Sequence, residues 1–146
     1  MELKEATRLR QAIADTPERF EELVNNTDLC VCVTDRDGTF TYINDNYKKM
    51  YGYEENQVVG KHCIMVVPPA DREKLLVAHD KFILEHEEIP ARWTVLANNG
   101  RLMTVVAEAM YSEEILNGRP SKITFVHVEN QNAGQLTPDE LAKVRA

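Results

Sequence analysis

Two glycine-bearing turn signals constrain this chain most: Asp37-Gly38 and Asn98-Asn99-Gly100 each stand between runs of strand-forming residues. An Asp-Gly or Asn-Gly pair supplies the positive φ that a tight hairpin turn needs, so each ties its flanks into antiparallel strands. The first turn joins residues 29–34 to 40–43, and the second joins 92–96 to 102–111. Asn117-Gly118-Arg119-Pro120 turns the chain once more, into residues 122–128, where Ile123, Phe125 and His127 alternate with Thr124, Val126 and Val128. Between the hairpins, residues 45–67 carry only short helical segments near 47–50 and 55–59. Pro68-Pro69 then breaks the chain. Asp71 is placed to cap a helix over 72–85 whose inward stripe is Leu75, Leu76, His79, Phe82 and Ile83. Strands segregated from helices predict an α+β fold with an antiparallel sheet rather than a doubly wound one.

Helical patterns flank this arrangement. Residues 2–14 are charged apart from a thin seam of Leu3, Ala6, Leu9 and Ile13. A helix this short is marginal alone in water, so the seam must pack on something, and a second copy of the chain is the expected partner. Thr16 followed by Pro17 reads as the N-cap of a further short helix with Phe20, Leu23 and Val24 facing inward. After Asn130 the chain turns polar through Gln131-Asn132-Ala133-Gly134-Gln135, as a linker would. Thr137-Pro138-Asp139-Glu140 is a capping box, with Leu136 and Leu141 as its hydrophobic staple. The helix it starts belongs to a longer protein or to a tail that docks on the domain. The expected division is an N-terminal helical extension over 1–16 for dimerisation or signalling, a domain over 17–130, and a linker with the start of a C-terminal helix over 131–146.

Composition excludes several partners. The net charge is −7 and no basic cluster interrupts it, which argues against nucleic acid. No apolar run has the length of a membrane span and the N-terminus has no signal-peptide character, so a cytoplasmic location is expected. The three cysteines, Cys30, Cys32 and Cys63, fit neither a disulfide framework nor a four-ligand zinc site. Cys30 and Cys32 would share one face of a strand as small apolar side chains.

The order and spacing of several motifs resemble the PAS family over roughly residues 17–130. Phe40-Thr41-Tyr42-Ile43-Asn44 leads to Met50-Tyr51-Gly52-Tyr53 and then to Val58-Val59-Gly60-Lys61. Gln57 stands where the family usually has an acidic residue. Pro69-Ala70-Asp71-Arg72-Glu73-Lys74 is similar to the start of the long PAS helix, and Asn98-Asn99-Gly100 occupies the place of a family hairpin turn. The resemblance implies a five-stranded antiparallel sheet with helices packed on one face around a pocket. It further implies a sensory input domain, not an enzyme, that signals through terminal helices and a homodimer to an effector such as a kinase, a cyclase or a bacterial-type regulator. The alternative is a ligand-free module for dimerisation or protein interaction. A small cone-shaped α+β enzyme would need a buried base with a tyrosine donor, and Asp37, Asp71 and Tyr53 are already explained by turns and motifs.

Two residues stand out against that background. Cys63 aligns with the photoactive cysteine of flavin-binding relatives, but His62 and Ile64 replace their Asn and Arg. Val105 and Glu129 stand where amides would bracket the ring. Flavin is therefore not expected. His79 lies on the inward stripe of the long helix, where haem-binding relatives carry their axial ligand. Haem is the candidate cofactor, with His79 as the iron ligand and Leu75, Phe82 and His127 as its surroundings. Val105, Ala107, Ile123 and Phe125 are the expected apolar walls. His62 and His86 read as surface or loop residues.

Overall fold

The computed structural model describes residues 3–145. Helix α1, Lys4–Asp15, precedes a 3-10 turn at Pro17–Arg19 and helix α2, Phe20–Val24. Strands β1, Cys30–Asp35, and β2, Phe40–Ile43, follow, then helices α3, Asp45–Tyr51, and α4, Glu55–Val58. Short 3-10 turns at Cys63–Val66 and Pro69–Asp71 lead into helix α5, Arg72–Glu85. Strands β3, Glu87–Leu96, β4, Arg101–Leu116, and β5, Arg119–Gln135, complete the sheet, and helix α6, Pro138–Arg145, ends the chain. All pairings are antiparallel, in the order β2-β1-β5-β4-β3, so β5 is central and β2 and β3 are the edges.

The first hairpin is closed by Asp35, whose carboxylate accepts from the backbone N–H groups of Asp37 at 2.9 Å and Thr39 at 3.0 Å. Gly38 sits at φ 84°, and a Cβ there would come within 2.8 Å of His62 Nε2. Both the conformation and the close approach demand glycine. Asn44 ends β2 and organises its surroundings. Its Oδ1 accepts from Val31 N and from Tyr47 N, the latter capping α3, each at 2.9 Å. Its Nδ2 donates to Val24 O at 2.7 Å and Leu29 O at 3.1 Å. One buried amide thus joins α2, β1 and α3.

The sheet is covered on both faces. Helices α3, α4 and α5 lie over the face that presents Cys30, Cys32, Val105, Ala107 and Val126. The opposite face presents Val31, Val33, Ile123 and Phe125, and it is covered by α1 through Ala6, Leu9 and Ile13, with Phe20 and Val24 beside them. Arg10 of α1 pairs at 2.9 Å with Glu108, which is buried on β4. The seam expected to seek a second copy is therefore spent on the chain's own sheet. The physical requirement for a partner surface is met in cis. Leu9 has no exposed surface. Leu9→Ala is expected to lower stability by about 2–5 kcal/mol through lost burial and a cavity, seen as a lower urea midpoint at unchanged slope.

Three local readings are corrected. Thr16 does not cap the helix that follows; its hydroxyl turns back to Ala12 O at 3.0 Å and closes α1. Asp71 makes no side-chain cap bond, because the 3-10 turn beginning at Pro69 runs straight into α5. Residues 131–135 are not a linker: β5 continues through them, with Gly134 opposite Leu102 and Gln135 opposite Arg101. A polar, solvent-facing strand end has no hydrophobic alternation to announce it.

The capping box at α6 forms as read, Thr137 N donating to Glu140 Oε1 at 3.0 Å and Glu140 N to Thr137 Oγ1 at 3.1 Å. Helix α6 docks on the domain. Arg145 donates to Tyr53 Oη at 2.6 Å and to Asn98 O at 3.1 Å, while Arg72 of α5 donates to Val144 O at 3.0 Å.

Candidate functional site: a core cavity

Between the sheet and helices α3 and α5 lies a cavity of about 80 Å³. Holding one water takes about 10–15 Å³ of such a space, so this one is on the scale of a small molecule of roughly five to eight heavy atoms. Its walls are mostly apolar. Phe40, Tyr47, Tyr51, Val66 and Leu75 close one side, and Trp93, Val95, Val105, Ala107 and Val126 form the sheet side. Tyr47 and Tyr51 stack in parallel at 4.0 Å between centroids, as residues four apart on α3 can.

One end of the cavity is polar, with Thr34, His79, Glu88, Lys122 and Thr124 in its lining. Lys122 and Glu88 form a 2.8 Å ion pair whose side chains are only 7% and 17% exposed. The pair crosses the sheet over β4, where Ala109 is the residue opposite both Glu88 and Thr124. A small side chain there leaves room for the lysine stem. The ammonium also lies 5.0 Å from the centre of the Phe82 ring, a favourable placement for a cation withdrawn from water. Thr34 stands directly opposite Lys122 in the β1–β5 ladder, so its side chain projects from the same face.

His79 and Leu75 reach the cavity from α5, as the stripe predicted. Phe82 is buried beside Lys122 and Tyr111 and supports the polar end from behind. His127 is exposed, in the strand phase of Ile123 and Phe125, which face α1. All three point to the outer face, where α1 covers Ile123 and Phe125 and leaves His127 exposed, so the cavity walls on β5 are Lys122, Thr124 and Val126 instead. Alternation identified two faces correctly but could not say which one met the pocket, because both are buried. The sequence sign that was available is Lys122 itself, a lysine in phase with Thr124 and Val126 in an otherwise buried strand. Glu129 pairs with Arg92 at 2.8 Å.

His86 ends α5 in the left-handed conformation and stacks on Tyr111 at 3.5 Å. His62 Nδ1 accepts from Ile64 N at 3.1 Å. Among the described residues, no group of three or more His, Cys, Asp or Glu side chains could hold a metal ion.

Haem does not fit this site. The His79 Nε2 atom lies 2.8 Å from the backbone carbonyl of Arg36. A carbonyl only accepts, so Nε2 carries the proton, and ligating iron through it would cost this bond. The cavity of about 80 Å³ is also far too small for a porphyrin with its dozens of heavy atoms. Protein incubated with haemin and desalted is expected to show no Soret band above that of the His79→Ala variant. A stoichiometric band lost in that variant would show the opposite.

Cys32 and Cys63 also face the cavity, and all three thiols are buried and unpaired with one another. Burial pushes the Cys30 and Cys32 thiols up to about 12 and Cys63 up to about 11. At neutral pH these are packing groups with almost no thiolate, unsuited to nucleophilic or redox chemistry.

Known proteins place this architecture. A PAS domain of an HTR-like protein from Haloarcula marismortui superposes with a TM-score of 0.65 at 21% identity, covering 84% of this chain and 98% of that one. The PAS domain of a two-component sensor histidine kinase gives 0.64 at 17% identity, covering 80% and 99%. The PAS domain of the Cronobacter turicensis quorum-sensing receptor RpfR, in complex with BDSF, gives 0.62 at 14% identity, covering 73% and 99%. No curated protein matches the chain. Among the described residues, no helix is long and apolar enough to cross a membrane. The PAS fold family matches residues 18–118, and with the strand order and the cavity already described, this chain belongs to the PAS family, whose members are commonly sensory domains of signal-transduction proteins.

Proposed function

We propose that this chain is a sensory PAS input domain whose signal is the occupation of its core cavity by a small ligand. The observation that carries the reading is the combination within one cavity of apolar walls with a buried polar end built from Thr34, His79, Glu88 and Lys122. A domain that needed only to be stable would gain by filling that space, since an empty cavity costs stability and a buried ion pair often contributes none. Ligand sites have this composition: mostly apolar, with a few convergent polar groups. The listening role is supported by the likeness to the PAS domains of a sensor histidine kinase and of a receptor in complex with BDSF.

The relay runs through α5. Leu75 and His79 line the cavity, and Arg72, one turn earlier, holds the last turn of α6 through Val144 O. A ligand that displaces α5 would loosen or tighten α6, the segment that leads to an effector such as a kinase, a cyclase or a transcription regulator, or to a second copy in a homodimer. The proposed output is a change in α6 rather than a reaction.

Fragments of five to eight heavy atoms should be titrated into methyl-labelled protein. Shifts confined to Leu75, Val66, Val105 and Val126, and abolished in an Ala107→Leu variant that fills the cavity, are expected. If no fragment moves those methyls, the cavity is a closed core and the chain is a ligand-free interaction module.

A further inference from the structure

We infer that the cavity takes a short aliphatic monocarboxylate, whose carboxylate replaces that of Glu88 on Lys122. The inference rests on the cavity being a ligand site and adds the chemistry of the ligand.

The two members of the ion pair differ in freedom. Lys122 belongs to the central strand, paired with Thr34 on one side and Tyr111 on the other, and its ammonium is set against the Phe82 ring at 5.0 Å. Glu88 is on the edge strand β3, at a bulge between Glu88 and Ala91 that carries the exposed Ile89. A bulge interrupts the ladder and leaves its residues freer to reorient. Glu88 also lines a second space, an outer groove of about 340 Å³ between α5 and β3. Trp93 is shared by cavity and groove, so Glu88 and Trp93 together form the partition between them.

When Glu88 swings outward it enters that groove, where Lys81 is the cation and Glu85 and Glu87 are the opposing charges. Lys81 is already only loosely engaged, 3.9 Å from Glu85. The outward position is open to water, so the carboxylate is resolvated there.

That movement leaves a buried ammonium without a counter-charge, which is strongly unfavourable. The ligand must therefore supply one negative charge. A cationic ligand would require the fixed lysine to leave, and a dianion would find a single cation. Thr34, opposite Lys122, offers a hydroxyl to the second carboxylate oxygen. Beyond them and Glu88 the lining carries no further charged side chain and is mostly aliphatic, aromatic or thiol, so the remainder of the ligand is apolar. The volume of about 80 Å³ limits it, and roughly five to eight heavy atoms correspond to a chain from propionate to hexanoate. Glu88 acts as an internal stand-in for the ligand's head group, keeping the lysine paired until the ligand arrives.

The probes are hexanoate and 1-hexanol, which share a tail and differ in charge, titrated by calorimetry and methyl NMR at pH 7. Wild type is expected to bind hexanoate at least tenfold more tightly than hexanol. Glu88→Gln removes the internal competitor, so hexanoate should tighten about tenfold further while hexanol changes less than threefold. Lys122→Gln should lose hexanoate and keep hexanol. Lys122→Arg, which retains the charge, should keep a preference for the acid and covers the case in which the glutamine variant does not fold. Hexanol binding as tightly as hexanoate, or Glu88→Gln weakening hexanoate, overturns the assignment while leaving the cavity a ligand site. Binding of neither probe overturns both readings.

Discussion

Asn44→Ala is expected to destabilise the domain by about 3–5 kcal/mol. The side chain is 1% exposed and makes four hydrogen bonds, to Val31 N, Tyr47 N, Val24 O and Leu29 O. Alanine would leave two backbone donors and two carbonyls with no replacement, and each buried unsatisfied group costs about 1–3 kcal/mol. Water entering the space recovers part of this. Asn44→Asp separates the contributions: it keeps both accepting bonds, loses both donated ones and adds a buried charge facing two carbonyls. It should therefore be at least as damaging as alanine at neutral pH and recover partly on acidification. Urea unfolding followed by circular dichroism gives the measurement. A loss below 1 kcal/mol for Asn44→Ala would show that the junction of α2, β1 and α3 does not depend on this amide.

Alkaline pH should unfold the protein through its buried thiols and phenols. Burial holds the thiols of Cys30 and Cys32 at about 12 and that of Cys63 at about 11. It also holds the phenols of Tyr47 and Tyr51 well above their ordinary value. In the unfolded chain thiols titrate near 8.5 and phenols near 10. Above about pH 8.5 the unfolded chain therefore releases protons that the folded one retains. It then binds fewer protons than the native state, and stability falls as pH rises. Each such group contributes a slope of about 1.4 kcal/mol per pH unit, so three thiols give roughly 4 kcal/mol per unit before the tyrosines join. A domain stability of about 5–15 kcal/mol then places the unfolding midpoint near pH 10–11. Below the unfolded thiol range the contribution is complete and stability should be flat from this source. The experiment is urea unfolding between pH 8 and 10 in a reductant. Cys63→Val should remove about a third of the slope. Unchanged stability across that range would mean that the thiols are not buried as described.

The polar end of the cavity bears on how such a domain stays both stable and responsive. Lys122 and Glu88 neutralise one another, Phe82 covers the ammonium, and Trp93 separates the cavity from the outer groove, its ring also covered by the Lys74 ammonium at 4.2 Å. The ligand-free state therefore carries no orphaned charge. What it lacks is a full complement of packing atoms, and that deficit is the driving force for an apolar tail.

Features with local causes were determined by the sequence. Asp37-Gly38 closed a hairpin because its glycine takes φ 84°, and Asn98-Asn99-Gly100 turned the second because Gly100 takes φ 87°. The spacing of Leu75, His79 and Phe82 marked α5 over Arg72–Glu85, and it put His79 and Leu75 on the cavity side. Thr137 and Glu140 started α6, and Ala6, Leu9 and Ile13 drew the seam of α1. All of these depend on residues within four positions of one another, which a linear reading can see. The tertiary structure alone decided what each face would meet. With α1 folded back on the outer face of the sheet, both phases of β5 became buried, and apolar alternation lost its power to say that Lys122, Thr124 and Val126 face the cavity while Ile123 and Phe125 face α1. The pairing of Lys122 with Glu88 across Ala109 joins three strands from two separate turns, and no local pattern encodes it. Which ring nitrogen of His79 carries the proton was likewise settled by a carbonyl far away in sequence, that of Arg36, because a ring nitrogen's role is fixed by its partner and not by its place on a helix.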